Sequence, residues 1–98
     1  MSAKLSDSEI QSRLSALADW KLEKGEITRT ISLPTFPAAL MFASAVGHLA
    51  EAADHHPDIL IKWRHVTLTL STHDAGGLTI KDFDLAAQIN ALPMPRQS

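Results

Sequence analysis

Two adjacent histidines, His55 and His56, lie in a stretch that also holds three carboxylates and a proline, EAADHHPDI at residues 51 to 59. A third histidine, His73, follows 18 residues after His55 and is itself followed by an aspartate. Imidazole gains or loses a proton with similar ease near neutral pH, so several rings together can donate one proton and accept another. The spacing therefore predicts acid–base chemistry without a metal, with the rings oriented by neighbouring carboxylates of Asp54, Asp58 and Asp74.

The two histidine clusters lie at the ends of predicted elements. Pro57 disfavours helical geometry in the residue before it, so the histidine pair stands where a helix ends. That helix begins after Thr35, and its apolar stripe consists of Phe42, Val46, Leu49 and Ala53. Apolar and polar residues alternate over residues 59 to 71, with a break near 62 to 64, which predicts two strands. If these strands pair as a hairpin, the chain returns beside its start and brings His73 towards the histidine pair.

The rest of the chain predicts two more helices and another hairpin. A capping box of Ser6 and Glu9 begins a first helix over residues 7 to 18. Two strands flank a turn at Lys24 and Gly25, and their alternating apolar residues are Trp20, Leu22, Ile27, Ile31 and Leu33. A second capping box, Thr79 with Asp82, begins a third helix that carries Phe83, Ala86, Ala87 and Ile89 and that Pro93 and Pro95 end.

The order of elements is helix, two strands, helix, two strands and helix. This order predicts an α+β fold in which three helices pack on one face of a four-stranded antiparallel sheet. The 98 residues suffice for one modest core, so we expect a single domain over residues 1–98.

The composition narrows the function classes. Nine Lys and Arg against eleven Asp and Glu give a formal charge of -2, which offers no electrostatic attraction to nucleic acid or to anionic lipid. The chain has no cysteine, so it forms no disulfide and no thiolate site. The Ala-rich run over residues 38 to 53 is interrupted by polar residues and looks too polar and too short for a membrane span. With no apolar signal core in the first nine residues, we expect a cytoplasmic protein.

A catalytic zinc ion is the main rival interpretation, because three histidines can hold zinc with one open position. Adjacent residues such as His55 and His56 tend to point their side chains apart, and no His-x-x-x-His pair supports a tetrahedral set. We therefore predict no metal. His48 and His65 have no histidine or aspartate next to them in the sequence. We interpret both as structural or surface residues, which is the usual state of a single histidine.

Three segments together resemble a known family: Glu51-x-x-x-His55-His56-Pro57-Asp58, the run VTLTLSTHDAGGL at residues 66 to 78, and Asp82. They are similar to the pterin-4a-carbinolamine dehydratases, also called 4a-hydroxytetrahydrobiopterin dehydratases. The resemblance is specific from Glu51 to Asn90. It implies a hydro-lyase that removes water from a 4a-hydroxytetrahydropterin to give a quinonoid dihydropterin, without metal or other cofactor.

The resemblance also implies roles for individual residues. The three catalytic histidines of the family fall on His55, His56 and His73. Substrate contacts fall on Pro57, Thr72, Asp74 and Ala75. Glu51 and Asp82 match motif carboxylates whose separate roles stay open. Many family members carry an aromatic residue directly after the His-His-Pro-[Asp/Glu] run, whereas this chain has Ile59; Trp63, on the same predicted strand face, is a candidate to replace it.

Family members also assemble through the sheet edge and through helices, and some bind a transcription factor. A four-stranded sheet has unpaired edges and a chain of 98 residues has a small core, so we expect a homodimer or a homotetramer. The alternative function is a non-enzymatic dimerisation or interaction module on the same scaffold, with a protein partner. The two functions make different demands on the histidines: catalysis requires His56 and His73, whereas dimerisation does not.

Overall fold

The computed structural model describes residues 3–93. In chain order the elements are α1 (Asp7–Ser15), β1 (Lys21–Glu23), β2 (Glu26–Ser32), α2 (Phe36–Ala53), β3 (Asp58–Lys62), β4 (His65–Leu70), a short 3-10 helix (His73–Ala75) and α3 (Ile80–Asn90). This order confirms the α+β class predicted from the sequence.

The four strands form one antiparallel sheet in the order β1-β2-β4-β3. The predicted turn at Lys24 and Gly25 joins β1 to β2, and both residues have positive φ, 52° and 77°. Two successive residues of this kind match the right-handed twist of the flanking strands. Asp58 pairs with Thr69, so the start of β3 lies beside the end of β4. The second hairpin therefore returns the chain as the sequence predicts.

The two faces of the sheet differ in character. One face carries Ile27, Ile31, Val66, Leu68 and Leu70, all at most 3% exposed. The helices cover this face, and full burial of each such side chain stabilises the fold by about 1.5–3 kcal/mol. The opposite face is mostly polar, and its threonines, Thr28, Thr30, Thr67 and Thr69, are partly buried or exposed. The apolar core thus lies on one side of the sheet.

Helix α2 begins where the sequence predicts. The Thr35 side chain accepts a hydrogen bond from the Ala38 backbone N–H at 3.2 Å, and Pro37 occupies the first turn, where no intrahelical donor is needed. Its buried residues are Ala39, Phe42, Val46 and Ala50. The prediction that Ala53 belongs to the apolar stripe is therefore wrong, because Ala53 lies one turn beyond the last buried position and is exposed.

By length and composition α2 meets the criteria for a membrane span, with 18 residues and a mean hydropathy of 1.2. These two properties do not overturn the expectation that the segment is no membrane span, because the core helix of a globular protein has them as well. The same helix packs its buried stripe against the sheet, as the core helix of a globular domain does.

Helices α1 and α3 carry the predicted capping boxes, in which Ser6 pairs with Glu9 and Thr79 with Asp82. Helix α1 is shorter than predicted, because the N–H groups of Ala16 and Leu17 bond three residues back and close a tight turn. In α3 the core residues are Phe83, Leu85, Ala86 and Ile89, whereas Ala87 is exposed. Pro93 follows the end of α3 by three residues, and Pro95 lies outside the described residues.

Candidate functional site

The histidine pair follows a sharp change of direction at the end of α2. Asp54 has the left-handed conformation, with φ 51° and ψ 43°, and ends the helix. After this turn the two rings reach different elements: His55 contacts α3, and His56 contacts Glu51 on α2. The His55 side chain is 11% exposed and that of His56 is 57% exposed. One ring is therefore held inside the protein and the other lies at the surface.

His55 is anchored by a buried carboxylate. Its Nε2 atom lies 2.6 Å from Oδ1 of Asp82, whose side chain is fully buried. The other oxygen of Asp82 accepts hydrogen bonds from the Thr79 N–H at 2.9 Å and from the Thr72 hydroxyl at 2.8 Å. Both carboxylate oxygens thus have partners, which is what a buried carboxylate needs to be tolerated. The network fixes the orientation of the His55 ring.

His56 is oriented by a weaker contact. Its Nε2 atom lies 2.9 Å from Oε1 of Glu51, and the Glu51 side chain is 82% exposed. Water competes with such a contact. The prediction that Asp54, Asp58 and Asp74 orient the rings is wrong for both histidines, because the left-handed turn at Asp54 directs them to Glu51 and Asp82 instead.

The third histidine begins the short 3-10 helix that follows β4. Thr72 and Gly77 form an isolated bridge across this loop, and the Gly76 N–H donates to the carbonyl of His73 at 3.0 Å. Gly76 has a φ of 74°, in the left-handed region that favours glycine. The loop is thereby held to the end of β4, and the His73 side chain is exposed.

The three histidines line one hollow of about 400 Å³, together with Asp54, Ser71, Thr72, Asp74 and Lys81. This volume lies within the range of small-molecule sites, about 300–1,000 Å³. Sequence reasoning missed Ser71 and Lys81 as lining residues. Lys81 lies directly before Asp82 in the first turn of α3, and only the contact of Asp82 with His55 shows that this turn borders the hollow.

The other predicted site residues have different positions. Thr72 and Asp74 line the hollow, whereas Pro57 and Ala75 are next to lining residues without being part of the wall. Trp63 is not on a strand face with Ile59, and that prediction is wrong: it occupies the β3–β4 turn with a φ of 55°. The five residues of β3 separate this turn from the histidine pair by about 16 Å.

Trp63 makes its own contacts at the far end of the hairpin. Its ring meets the His65 ring edge-on at 5.8 Å between centroids, and the Arg64 guanidinium lies 4.9 Å from the Trp63 centroid. His65 also contacts the Ser32 hydroxyl at 2.7 Å, and His48 is exposed on α2. Within residues 3–93, no group of three or more His, Cys, Asp or Glu residues is arranged to hold a metal ion.

Comparison with known proteins identifies the same family by a family model and by individual relatives. The family model described as Pterin 4 alpha carbinolamine dehydratase matches residues 3–92. A Roseiflexus castenholzii protein is 60% identical over 92 residues, covering 94% of this chain and 99% of that protein. A Nocardia farcinica protein is 53% identical over 88 residues, covering 90% of this chain and 93% of that protein. Both are named provisionally as pterin-4-alpha-carbinolamine dehydratases.

Two solved structures share the fold. A transcriptional coactivator/pterin dehydratase from Brucella melitensis superposes with a TM-score of 0.85 at 33% identity, covering 90% of this chain and 96% of that one. A pterin dehydratase-like protein identified as a RuBisCO assembly factor in the alpha-carboxysome has a TM-score of 0.59 at 19% identity, covering 74% of this chain and 83% of that one. The second likeness concerns the fold alone.

Proposed function

Since the chain belongs to the pterin 4 alpha carbinolamine dehydratase family, we propose that it removes water from a 4a-hydroxytetrahydropterin and releases a quinonoid dihydropterin. The observation that carries this proposal is the convergence of His55, His56 and His73 on one hollow. We propose that the enzyme acts in the cytoplasm and serves pterin cofactor recycling.

The reaction needs one acid and one base. Hydroxide is a poor leaving group, so a protonated imidazole donates its proton to the 4a-hydroxyl as the carbon–oxygen bond breaks and water leaves. A second imidazole accepts the proton of the neighbouring ring nitrogen, whose electrons form the new carbon–nitrogen double bond. A positioned acid or base of this kind accelerates a reaction by about 10²- to 10⁴-fold.

We propose that His55 is the base. Asp82 lies against its Nε2 atom, so a carboxylate stabilises the imidazolium that forms when Nδ1 accepts a proton. His56 and His73 are more exposed and share the hollow with His55, which suits donation to the leaving hydroxyl. Pro57, Thr72, Asp74 and Ala75 are proposed substrate contacts, on the resemblance of their segments to the family motifs.

The decisive experiment is a rapid-mixing measurement of dehydration of the 4a-adduct. We expect His73→Ala to slow turnover by about 10²-fold or more without abolishing it, because the other histidines still act. His48→Ala is the matched control, since His48 is exposed on α2 and lines no part of the hollow. Equal rates for wild type and His73→Ala would contradict the proposal.

We further propose that the chain forms a homodimer or a dimer of dimers. Strand β3 is an edge strand that carries Ile59 and Leu60, 38% and 52% exposed. On α2, Leu40 and Met41 are 47% and 74% exposed. Unpaired strand edges and exposed apolar side chains are the features that oligomerisation covers.

The alternative is an interaction module whose partner is another protein. It is supported by the related Brucella melitensis structure, which is described as a transcriptional coactivator as well as a pterin dehydratase, and by the exposed apolar side chains of α2. The double variant His56→Ala/His73→Ala separates the functions. It should lose catalysed dehydration and keep self-association if both proposals hold. A wild type that dehydrates the adduct no faster than the uncatalysed reaction, while both proteins self-associate, would favour the interaction module.

A further inference from the structure

A second hollow lies directly beside the histidine site. Its volume is about 550 Å³, and its wall includes Ser71 and His73, which also line the histidine site. The remaining walls come from the N-terminal segment before α1, the β1–β2 turn and the residues that precede α3. The two hollows therefore meet at Ser71 and His73.

The second hollow has a defined floor. Leu22, which is 40% exposed, supplies most of the apolar surface, and the buried Ile10 and Leu78 complete the apolar part of the lining. The Leu5 N–H donates to the Leu78 carbonyl at 2.8 Å and fastens the N-terminal segment over this floor. A Cβ atom at Gly77 would lie 2.8 Å from Cε of Lys4, so the absence of a side chain at Gly77 lets the Lys4 side chain lie across the loop.

The charges at the rim are not equivalent. Lys4 and Lys24 line the hollow, and neither takes part in the ion pairs formed among residues 3–93. Of the two carboxylates, Glu26 already accepts a hydrogen bond from the Ser71 hydroxyl at 3.2 Å. Asp7 lies in the first turn of α1, where the helix dipole stabilises its negative charge. The two lysines are therefore the charged groups of the rim that remain able to pair with an incoming ligand.

We propose that the second hollow receives the ring substituent of the pterin, and that Lys4 and Lys24 select a substituent with an anionic end, a carboxylate or a phosphate. The inference rests on the proposed function, since it requires the bicyclic ring to lie among the histidines. From there a substituent passes Ser71 and His73, rests on the apolar floor and ends between the two lysines.

The test compares three 7,8-dihydropterins whose substituent is a methyl group, a trihydroxypropyl chain, or that chain ending in a phosphate. Affinities are measured by fluorescence titration at two salt concentrations. We expect the phosphorylated compound to bind wild type about fivefold to tenfold more tightly than the trihydroxypropyl compound, less so at high salt.

Lys4→Met and Lys24→Met keep the aliphatic chain and remove the charge. Each should weaken binding of the phosphorylated compound by about threefold to fivefold and leave the methyl compound unchanged. Lys21→Met is the matched control, because Lys21 is exposed on β1 and lines neither hollow. It should change neither affinity.

Three results would overturn the inference. Equal affinity of wild type for all three compounds would exclude a substituent site, and a trihydroxypropyl compound bound as tightly as the phosphorylated one would exclude selection by charge. If the lysine variants weakened binding of all three compounds equally, the lysines would not be the groups that recognise the anionic end. In each case normal dehydration of the methyl adduct would leave the proposed function standing, whereas its absence in wild type would refute that function.

Discussion

Oδ1 of the buried Asp82 lies 2.6 Å from Nε2 of His55, although 27 residues separate them in the chain. Asp82 also completes the capping box of α3, through its bond from the Thr79 N–H. One side chain thus starts a helix and orients a ring of the candidate site. The start of α3 and the geometry of the site are therefore coupled.

Asp82→Asn should lower kcat/KM by about 10- to 100-fold, less than the loss expected for the acid or base itself. Oδ2 accepts from Thr79 and Thr72, so the new amide turns its NH₂ group towards His55 and holds the ring in the opposite tautomer. The pH profile should change together with the rate, whereas a purely structural role would leave the profile intact. Asp84→Asn, an exposed position on the same helix, is the control.

Glu51→Gln should change the rate by no more than about threefold, because its contact with His56 is exposed to water on both sides. The comparison with Asp82→Asn in the same rapid-mixing assay tests whether burial decides the importance of each carboxylate. A loss for Glu51→Gln as large as that for Asp82→Asn would show that burial does not decide the importance of the two carboxylates.

Thr72→Val should lower the free energy of unfolding by about 1–3 kcal/mol, because it removes the hydroxyl that Asp82 accepts from in a buried setting. Urea unfolding at one fixed protein concentration measures the change. Thr67→Val is the control on the open face of the sheet, where the Thr67 hydroxyl contacts that of Thr30 in an exposed position. It should stay within about 0.5 kcal/mol of wild type.

The backbone N–H and the hydroxyl of Ser6 hold the pKa of Glu9 below its usual value of 4.5. The folded state therefore favours the charged form, and this stabilisation is present above the usual pKa and is lost as the pH falls through the lowered value. We expect Glu9→Gln to have a lower Tm than wild type at about pH 7 and the same Tm at about pH 2. Glu23→Gln, exposed on β1, serves for comparison. A Tm difference that persists unchanged in acid would contradict the role of charge in the capping box.

Leu60→Lys should reduce the mass of the protein in solution at micromolar concentration, from a dimer to one chain or from a dimer of dimers to a dimer. Leu60 lies on the edge strand β3, and a charge there disfavours edge-to-edge pairing. Light scattering gives the mass, and Thr30→Lys on the inner strand β2 is the matched control. A wild-type protein that is already monomeric would contradict self-association itself, and an unchanged assembly of Leu60→Lys would exclude the β3 edge.

The sequence alone determined the elements of this protein, because their signals are local. Side-chain caps at Ser6, Thr35 and Thr79 satisfy free backbone N–H groups at each helix start, and two residues of positive φ close the first hairpin. The alternation along β4 identified the buried face of the sheet. The return of the second hairpin then predicted that His73 lies near the histidine pair, and the three rings line one hollow.

Tertiary structure alone decided which groups contact those histidines. The ring partners are Asp82 and Glu51 rather than the aspartates next to them in the chain, because the left-handed Asp54 sets the direction of each ring and the packing of α3 brings Asp82 beneath His55. Trp63 was misplaced for the same reason, since one positive φ moved it from a strand into a turn. Hydrogen-bond partners distant in sequence depend on how whole elements pack, and no local pattern encodes that packing.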